Sequence, residues 1–191
     1  MRILVTGTTG GIGGAVKDAA KARGWDVVEL NRPEWAKLES LKIDGDLDGI
    51  VFATGMCPVR PLTMMSDGEF AETMEVNCGL FVKLMRKIVK DRLYSATGMN
   101  VIAVSSVSAT AGWAGGSAYC ASKGALSAVC RALDAELKKK RISVTAIEPR
   151  YVRTRMFEAC AGRMGVDPAA AQPPEALAAD ILTQLQVKSQ V

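Results

Sequence analysis

Histidine is absent from this 191-residue chain. Histidine is the commonest general base and the commonest transition-metal ligand in proteins. The absence excludes hydrolases with a Ser-His-Asp triad and zinc hydrolases built on histidine ligands. The five cysteines are odd in number and contain no CxxC pair, so neither a disulfide framework nor a cysteine-ligated zinc ion is expected. The sequence predicts no metal site.

Long apolar runs are missing as well. No stretch approaches the roughly 20 apolar residues that span a bilayer, and the apolar run after Met1 is too short for a signal peptide. Aromatic residues make up 5% of the chain, and the net charge is only +4. The one basic cluster, residues 138–141, falls at a predicted helix end, where cations complement the helix dipole. The sequence therefore predicts a cytoplasmic protein that binds neither membrane nor nucleic acid.

Short apolar runs rich in branched residues alternate with longer helical patterns. This alternation is typical of a parallel sheet built from βαβ units. The length and the 49% hydrophobic content suit one domain, residues 1–191. Predicted strands are residues 3–6, 26–30, 49–53, 100–105 and 143–147, and the main predicted helices are residues 11–23, 67–93, 119–139 and 175–185. The predicted fold class is α/β, a Rossmann-like doubly wound parallel sheet flanked by helices.

A glycine-rich turn, residues 6–13 with the sequence TGTTGGIG, follows the first strand and opens the first helix. Glycines there let the backbone approach a pyrophosphate, while the helix N-terminus supplies N–H donors and positive potential. The other interpretation is structural: such a turn can serve only to connect a strand tightly to a helix, without binding a ligand. The candidate cofactor contacts in it are Gly7, Thr9, Gly11, Ile12 and Gly13.

The end of the second strand bears on the choice of dinucleotide. An acidic residue at this place selects NAD through the ribose hydroxyl, and an arginine accommodates the 2′-phosphate of NADP. Here Asn31 stands in the acidic position and Arg32 follows it. The sequence favours NADP over NAD, although Glu29 takes the acidic role if the strand ends earlier.

Tyr119 and Lys123 are four residues apart on a predicted helix, so their side chains share one face. A free phenol has a pKa near ~10, and a neighbouring cation lowers it towards the working pH of an acid catalyst. Ser106 stands thirteen residues before the tyrosine, at a strand end. The pattern predicts proton-transfer chemistry beside a dinucleotide.

Together these residues resemble the classical short-chain dehydrogenase/reductase family over residues 1–185, and in particular its 3-oxoacyl carrier reductases. The family's TGxxxGxG is matched by residues 6–13, its helix asparagine by Asn77, its serine by Ser106, and its YxxxK by Tyr119 and Lys123. Its strand-end NNAG and its PGxVxT have counterparts in two short segments. The matching positions are Ala53, Thr54 and Gly55, and then Pro149, Val152 and Thr154.

The resemblance implies a role for each matched residue. Tyr119 would exchange the proton of a carbonyl or alcohol, Lys123 would lower the pKa of the tyrosine and hold the nicotinamide ribose, and Ser106 would hydrogen-bond the substrate oxygen. Asn77 would anchor a water relay to Lys123. The segment 149–154 would hold the nicotinamide carboxamide. The implied function is an NADP-dependent oxidoreductase that interconverts a ketone and a secondary alcohol on a small or acyl-chain substrate, acting as a homodimer or homotetramer through helices 67–93 and 119–139.

The chain departs from the family pattern in three places. Residues 32–48 are too few for the usual strand and helix, and residues 33–41 are predicted to form a single short helix in their place. This leaves Asp44 as a weak candidate for the adenine-contacting aspartate. Arg150 replaces the glycine of PGxVxT, next to the substrate entrance that loops 56–66 and 151–167 are predicted to wall. The sequence stops near the place of the family's last strand. The predicted fold is accordingly shortened in the third-strand region and at the C-terminus.

Two other functions stay open. Gly7, Gly10 and Gly13 also fit the glycine spacing of extended-type epimerases and dehydratases, although those enzymes carry a further substrate domain. A dinucleotide-sensing protein that keeps the fold without turnover is the second alternative. Each matched residue also has a purely structural interpretation, Ser106 as a turn former and Asn77 as a solvated polar residue.

Overall fold

A computed structural model describes residues 1–187 as a five-stranded parallel sheet covered by helices on both faces. The strands are β1 (Arg2–Thr6), β2 (Asp26–Leu30), β3 (Gly49–Phe52), β4 (Met99–Val104) and β5 (Ile142–Ile147), in the spatial order β2-β1-β3-β4-β5. The helices are α1 (Gly11–Ala22), α2 (Arg32–Trp35), α3 (Asp67–Met74), α4 (Leu80–Lys90), α5 (Ser117–Leu137), α6 (Arg155–Met164) and α7 (Pro174–Gln186). The predicted fold class is confirmed.

Alternating side chains of the strands divide the core into two layers. Leu4 of β1 joins Phe81 and Leu126 in the layer beneath α4 and α5. Ile3 and Val5 of the same strand face the opposite way, into the layer beneath α1 and α7. Because both faces are covered, the central strand β3 is apolar and buried along its whole length, as is usual in parallel sheets.

The chain changes direction across the sheet next to β1. It runs from β1 outward to β2, and then returns to β3 on the other side of β1. Ligands of open α/β sheets bind in the crevice beyond the carboxyl ends of the strands at such a switch point. The fold therefore directs attention to the loops after β1, β2 and β3.

Three predicted elements differ in detail. The expected short helix over residues 33–41 is two pieces, α2 and a 3₁₀ turn at Leu38–Ser40, because the backbone leaves the helical conformation at Lys37, with φ −114° and ψ 15°. The long helix predicted over residues 67–93 is α3 and α4 joined by a π-helical turn, Glu75–Gly79. The helix predicted over residues 119–139 begins two residues earlier and ends in a 3₁₀ turn at Lys138–Lys140.

Candidate active site

A cavity of about 790 Å³ opens at the carboxyl edge of the sheet. It brings together the glycine turn after β1, the ends of β2, β3 and β4, the start of α5 and the segment after β5. The predicted site residues in its wall are Gly7, Thr9, Gly11, Ile12, Gly13, Asn31, Arg32, Ala53, Thr54, Gly55, Ser106, Tyr119, Lys123, Pro149, Val152 and Thr154. Asn77 lies behind this wall. Residues spread over 148 positions of sequence thus meet at one site.

At three positions of the glycine turn, Gly7, Gly11 and Gly13, the surrounding atoms or the backbone conformation exclude a side chain. A Cβ on Gly13 would lie 2.3 Å from the carbonyl oxygen of Gly7, and one on Gly11 would lie 2.6 Å from Thr154 Cγ2. Gly7 itself has a φ of +68°, which strains any residue with a side chain. The turn opens α1, whose first N–H groups lack partners within the helix. These residues fit a pyrophosphate, which needs close backbone approach and N–H donors.

The β2 end of the cavity carries a small polar network. Thr8 donates to the Glu29 carboxylate at 2.6 Å and accepts from the Asn31 amide at 2.9 Å, while Lys21 also bonds Glu29 at 3.0 Å. These two hydrogen bonds lower the pKa of Glu29, the bond from Thr8 contributing most. Glu29 is therefore an ionised, internally paired group outside the cavity wall, whereas Asn31 and Arg32 line the wall. Asp44 is exposed and is not among the lining residues.

Ser106 and Tyr119 meet in the middle of the cavity. Ser106 follows β4, and its Oγ accepts from the Ser108 N–H at 3.1 Å, which caps a 3₁₀ turn and fixes the side chain. Tyr119 stands in the first turn of α5, beside the Trp113 ring at a centroid distance of 6.5 Å. Burial raises the pKa of Tyr119 above its ordinary range, and the Ser106 hydroxyl opposes that rise by hydrogen bonding. The phenol is accordingly protonated at neutral pH.

Lys123 lies one helical turn after the tyrosine and is only 5% exposed. Its Nζ is 5.8 Å from the centre of the Tyr119 ring and donates to the Val104 carbonyl oxygen at 2.7 Å. Burial lowers the pKa of Lys123 to about 8, because a desolvated ammonium is disfavoured. The expected lowering of the tyrosine pKa by this cation is not seen in the structure. Burial is the largest cause of the raised tyrosine pKa, and the hydrogen bond with Ser106 is the cause that opposes it.

Asn77 occupies the π-helical turn between α3 and α4 and is completely buried. Its side chain accepts from the Met56 N–H at 2.8 Å, and it donates to the Met56 carbonyl oxygen and to Ser122 Oγ. It is not a solvated polar residue, which was one interpretation of the sequence. The amide instead ties the loop after β3 to α5, next to Lys123. A π turn was not detectable from the sequence, and such turns are frequent at functional sites.

The other side of the cavity is aromatic and sulfur-rich. Tyr151 and Phe157 stack at 5.4 Å, and the cavity wall continues over Trp113, Met156 and Met164. The segment after β5 thus contributes as predicted, but of the loop 56–66 only Cys57 reaches the wall. Sequence reasoning missed Trp35, Cys57, Trp113 and Cys160. The only sequence signal for these four residues was their position next to the predicted loops and strand ends. That position does not tell which side chains face the cavity.

Arg150 and Arg155 are exposed at the rim of this side of the cavity. No cluster of three or more cysteine or carboxylate side chains suited to a metal occurs among residues 1–187. Across the same residues, no helix is both long and apolar enough to cross a bilayer.

The short chain dehydrogenase family model matches residues 34–163 of this chain. Since the match covers more than half of the sequence, the chain belongs to that family of oxidoreductases. Among curated relatives, the 3-oxoacyl-(acyl-carrier-protein) reductase FabG of Salmonella typhimurium is 26% identical over 184 residues, covering 82% of this chain and 75% of that protein.

Solved structures share the fold at lower identity. A 4-hydroxyisoleucine dehydrogenase complexed with NADH superposes with a TM-score of 0.83 at 20% identity, covering 98% of this chain and 92% of that one. An actinorhodin polyketide ketoreductase with NADPH gives 0.82 at 18% identity, covering 97% and 90%. Because one neighbour holds NADH and the other NADPH, the shared fold leaves the choice of dinucleotide open.

Proposed function

We propose that this protein is an NADP(H)-dependent oxidoreductase that interconverts a ketone and a secondary alcohol, with Tyr119 as the acid/base. The observation that carries the proposal is the convergence of Ser106, Tyr119 and Lys123 on the cavity that also contains the glycine turn. A dinucleotide cradle and a proton-transfer group in one cavity are the two halves of a hydride-transfer site. Resemblance to 3-oxoacyl reductases extends the proposal to small or acyl-chain carbonyl substrates.

The residues of the chain divide the work of the reaction. The turn 7–13 would hold the pyrophosphate, and the segment 149–154 with Ala53 and Gly55 would hold the nicotinamide half. A bound nicotinamide cofactor supplies or accepts the hydride. Ser106 donates a hydrogen bond to the substrate oxygen and so stabilises the negative charge that develops there. Tyr119, whose pKa is raised by burial so that the phenol is protonated at neutral pH, would deliver its proton to that oxygen when the carbonyl is reduced.

Lys123 and Asn77 act behind the tyrosine. The Lys123 ammonium, held by the Val104 carbonyl, stabilises the phenolate that remains after proton transfer. Asn77 keeps the loop after β3 against α5, and it anchors the water relay that would return a proton to Lys123. Burial of the pair makes each charge interaction stronger than it would be in water.

The preference for NADP rests on the polar network at β2. Glu29 is engaged by Thr8 and Lys21, so an acidic group is not free to bind the ribose hydroxyls of NAD. Exposed Arg32 stands at the cavity wall, where a 2′-phosphate would pair with it. Arg32→Glu should therefore shift the ratio of NADPH to NADH affinity towards NADH by about tenfold or more, with Arg23→Glu as the charge-matched control outside the cavity. An unchanged ratio would refute the preference.

Activity is tested by oxidation of NADPH at 340 nm with a panel of ketones and acyl-thioester ketones. Turnover should fall at least about a hundredfold in Tyr119→Phe, since general acid catalysis contributes roughly 10²–10⁴ in rate. Tyr94→Phe removes a hydroxyl outside the cavity and serves as the control. Tight NADPH binding without turnover on any substrate would instead favour the dinucleotide-sensing alternative.

The proposal includes a cytoplasmic, oligomeric enzyme. Five free cysteines, three of them buried, suit a reducing compartment. The outward faces of α3 and α4 expose Phe70 and Val82 at 41% and 39%, where a second copy would pack. Light scattering that gives a dimer or tetramer mass, reduced to a monomer by Phe70→Asp and Val82→Asp, would support this part of the proposal. A monomer at micromolar concentration would contradict it.

A further inference from the structure

Every charged side chain in the wall of the cavity is a cation. The four are Arg32, Lys123, Arg150 and Arg155, and no aspartate or glutamate from residues 1–187 lines the wall with them. The whole chain, in contrast, is nearly balanced, with 20 acidic and 24 basic side chains. Lys123 acts behind Tyr119, and Arg32 is proposed to pair with the 2′-phosphate. The two arginines after β5 have no part in the proposed function.

Arg150 stands at the end of the cavity where the reacting groups lie. The carbonyl oxygen of Pro149 accepts from the Val107 N–H at 3.2 Å. The chain therefore passes beside the segment that begins with Ser106 just before it reaches the arginine. A substrate whose oxygen meets the Ser106 hydroxyl lies next to this part of the backbone.

Arg155 stands at the opposite end. It follows Thr154, whose Cγ2 would lie only 2.6 Å from a Cβ on Gly11 of the glycine turn. This contact places Arg155 near the turn that would hold the pyrophosphate. Arg150 is therefore the cation that remains for the substrate.

No carboxylate of the described part of the chain neutralises Arg150. Glu148, two residues earlier, instead accepts from the Ser127 hydroxyl of α5 at 2.7 Å. Other exposed arginines are paired, since Arg60 and Arg86 each contact a glutamate, at 3.2 and 3.3 Å. An unpaired guanidinium at the mouth of a cavity attracts anions, and its planar fork matches the two oxygens of a carboxylate. The mouth thus favours an acidic ligand.

The wall between this mouth and the reacting groups is aromatic. Tyr151 stacks on Phe157 at 5.4 Å, and Trp113 lies beside the Tyr119 ring at 6.5 Å. The indole is held in place because its Nε1–H donates to Ser108 Oγ at 3.2 Å. Surfaces of this kind bind the apolar body of a ligand, while a few polar groups fix its orientation.

We propose that the substrate is an apolar carbonyl compound that carries a carboxylate, and that Arg150 pairs with this carboxylate at the mouth of the cavity. The carbonyl then lies between Ser106 and Tyr119, with the apolar body against the aromatic wall. The proposal rests on the proposed function and narrows its substrates to oxo acids. Arg150 is the residue that determines this specificity, since two fixed ends of the substrate orient the carbonyl for reaction.

Matched acids and esters test the proposal by kinetics. The compounds 4-acetylbenzoate and 4-benzoylbenzoate are ketones with a carboxylate, and their methyl esters keep the shape without the charge. At saturating NADPH, kcat/KM of wild type should be about tenfold or more higher for each acid than for its ester, which is the scale of one hydrogen bond to a charged group. Arg150→Gln should abolish this ratio by slowing the acids alone. The esters thus control for folding, and Arg131→Gln, at an exposed arginine outside the cavity wall, should keep the ratio of wild type.

Calorimetry gives a readout without turnover. The carboxylate 4-propylbenzoate, which has no ketone, should bind the NADP⁺-loaded wild type about tenfold more tightly than 4-propylbenzamide, and Arg150→Gln should bind the two alike. NADPH should bind Arg150→Gln as tightly as wild type.

The outcomes separate the proposal from the function on which it rests. A loss of NADPH affinity in Arg150→Gln, with the acid-to-ester ratio unchanged, would assign Arg150 to the cofactor and overturn the proposal. Equal kcat/KM for acids and esters in wild type, or turnover of neutral ketones alone, would also overturn it and leave the proposed function intact. Turnover of no acid, ester or neutral ketone would refute the proposed function, and the proposal with it.

Discussion

Replacing Lys123 with methionine should change how the folding stability of the protein depends on pH. Burial lowers the pKa of this side chain from 10.5 to about 8. Between these values the folded chain binds fewer protons than the unfolded chain, so the contribution of Lys123 to stability rises with pH across this window. Below about pH 8 the side chain is charged in both states, and the folded state carries the full cost of burying an ammonium.

The size of the effect follows from the two pKa values. Each unit of pKa difference corresponds to about 1.4 kcal/mol, so a change from 10.5 to about 8 amounts to roughly 3 kcal/mol over the whole window. About 2 kcal/mol of it falls between pH 7 and pH 10. The hydrogen bond from Nζ to the Val104 carbonyl is available to the charged and the neutral amine, so its loss adds a constant of about 1–3 kcal/mol. The stability of the variant relative to wild type should therefore fall by about 2 kcal/mol between pH 7 and pH 10.

Urea unfolding at pH 7, 8, 9 and 10, followed by circular dichroism, measures this difference. Burial also raises the pKa of Cys57, Cys78 and Cys130, which lowers the stability of both proteins above about pH 8.5 and largely cancels in the comparison. Lys139→Met, at an exposed lysine after α5, should show no such trend. A difference between Lys123→Met and wild type that is constant with pH, or that grows in favour of the variant, would refute the burial of an ammonium at this site.

Three further predictions concern neighbouring parts of the site. Gly13→Ala should lower the free energy of unfolding by about 1–2 kcal/mol and weaken cofactor binding, because its methyl group meets three backbone atoms at 2.3 to 2.8 Å. Gly162→Ala is the control: with no atom within 4 Å of the new methyl group, it should stabilise α6 by about 0.5–1 kcal/mol. Equal effects of the two substitutions in urea titrations would contradict this account. Asn77→Ala should cost about 2–3 kcal/mol in the same assay, because the Met56 N–H and C=O lose their partner, and a loss below about 0.5 kcal/mol would show that the loop does not depend on it. The kcat/KM for NADPH, which reports the free enzyme, should be level below pH 8 and decline above it as Lys123 loses its proton, whereas a decline that begins only above pH 10 would assign the alkaline limb to Tyr119.

The sheet could be predicted from the sequence because each strand is a short, branched, apolar run between helical patterns. The five predicted strands match the observed ones to within two residues at either end. The glycine turn was equally recognisable, because the spacing of its glycines after a strand has a steric cause. At Gly13, for example, a Cβ would collide with the backbone of Gly7. These features are local, and local chemistry decides them.

The wall of the cavity was harder to predict. Trp35 and Trp113 come from connecting segments whose paths depend on packing against Phe52 and Tyr119, at distances that no periodicity encodes. The break between α3 and α4 has the same origin. The π turn satisfies the buried Asn77 amide through Met56 and Ser122, two partners that are 21 and 45 residues away. The helical pattern of residues 67–93 does not predict the π turn.

The pair Tyr119 and Lys123 shows where a motif stops being informative. Spacing in the helix decides that the two groups are neighbours, but the surroundings decide their charge. Enclosure raises the pKa of the phenol and lowers that of the amine, so each is pushed towards its neutral form. A protonated phenol is the form that carbonyl reduction consumes, while alcohol oxidation needs the phenolate that this enclosure disfavours. Any group that adds positive potential near Tyr119 would make the phenolate accessible, and Lys123, charged at pH 7 and held by Val104, is the group in place to do so.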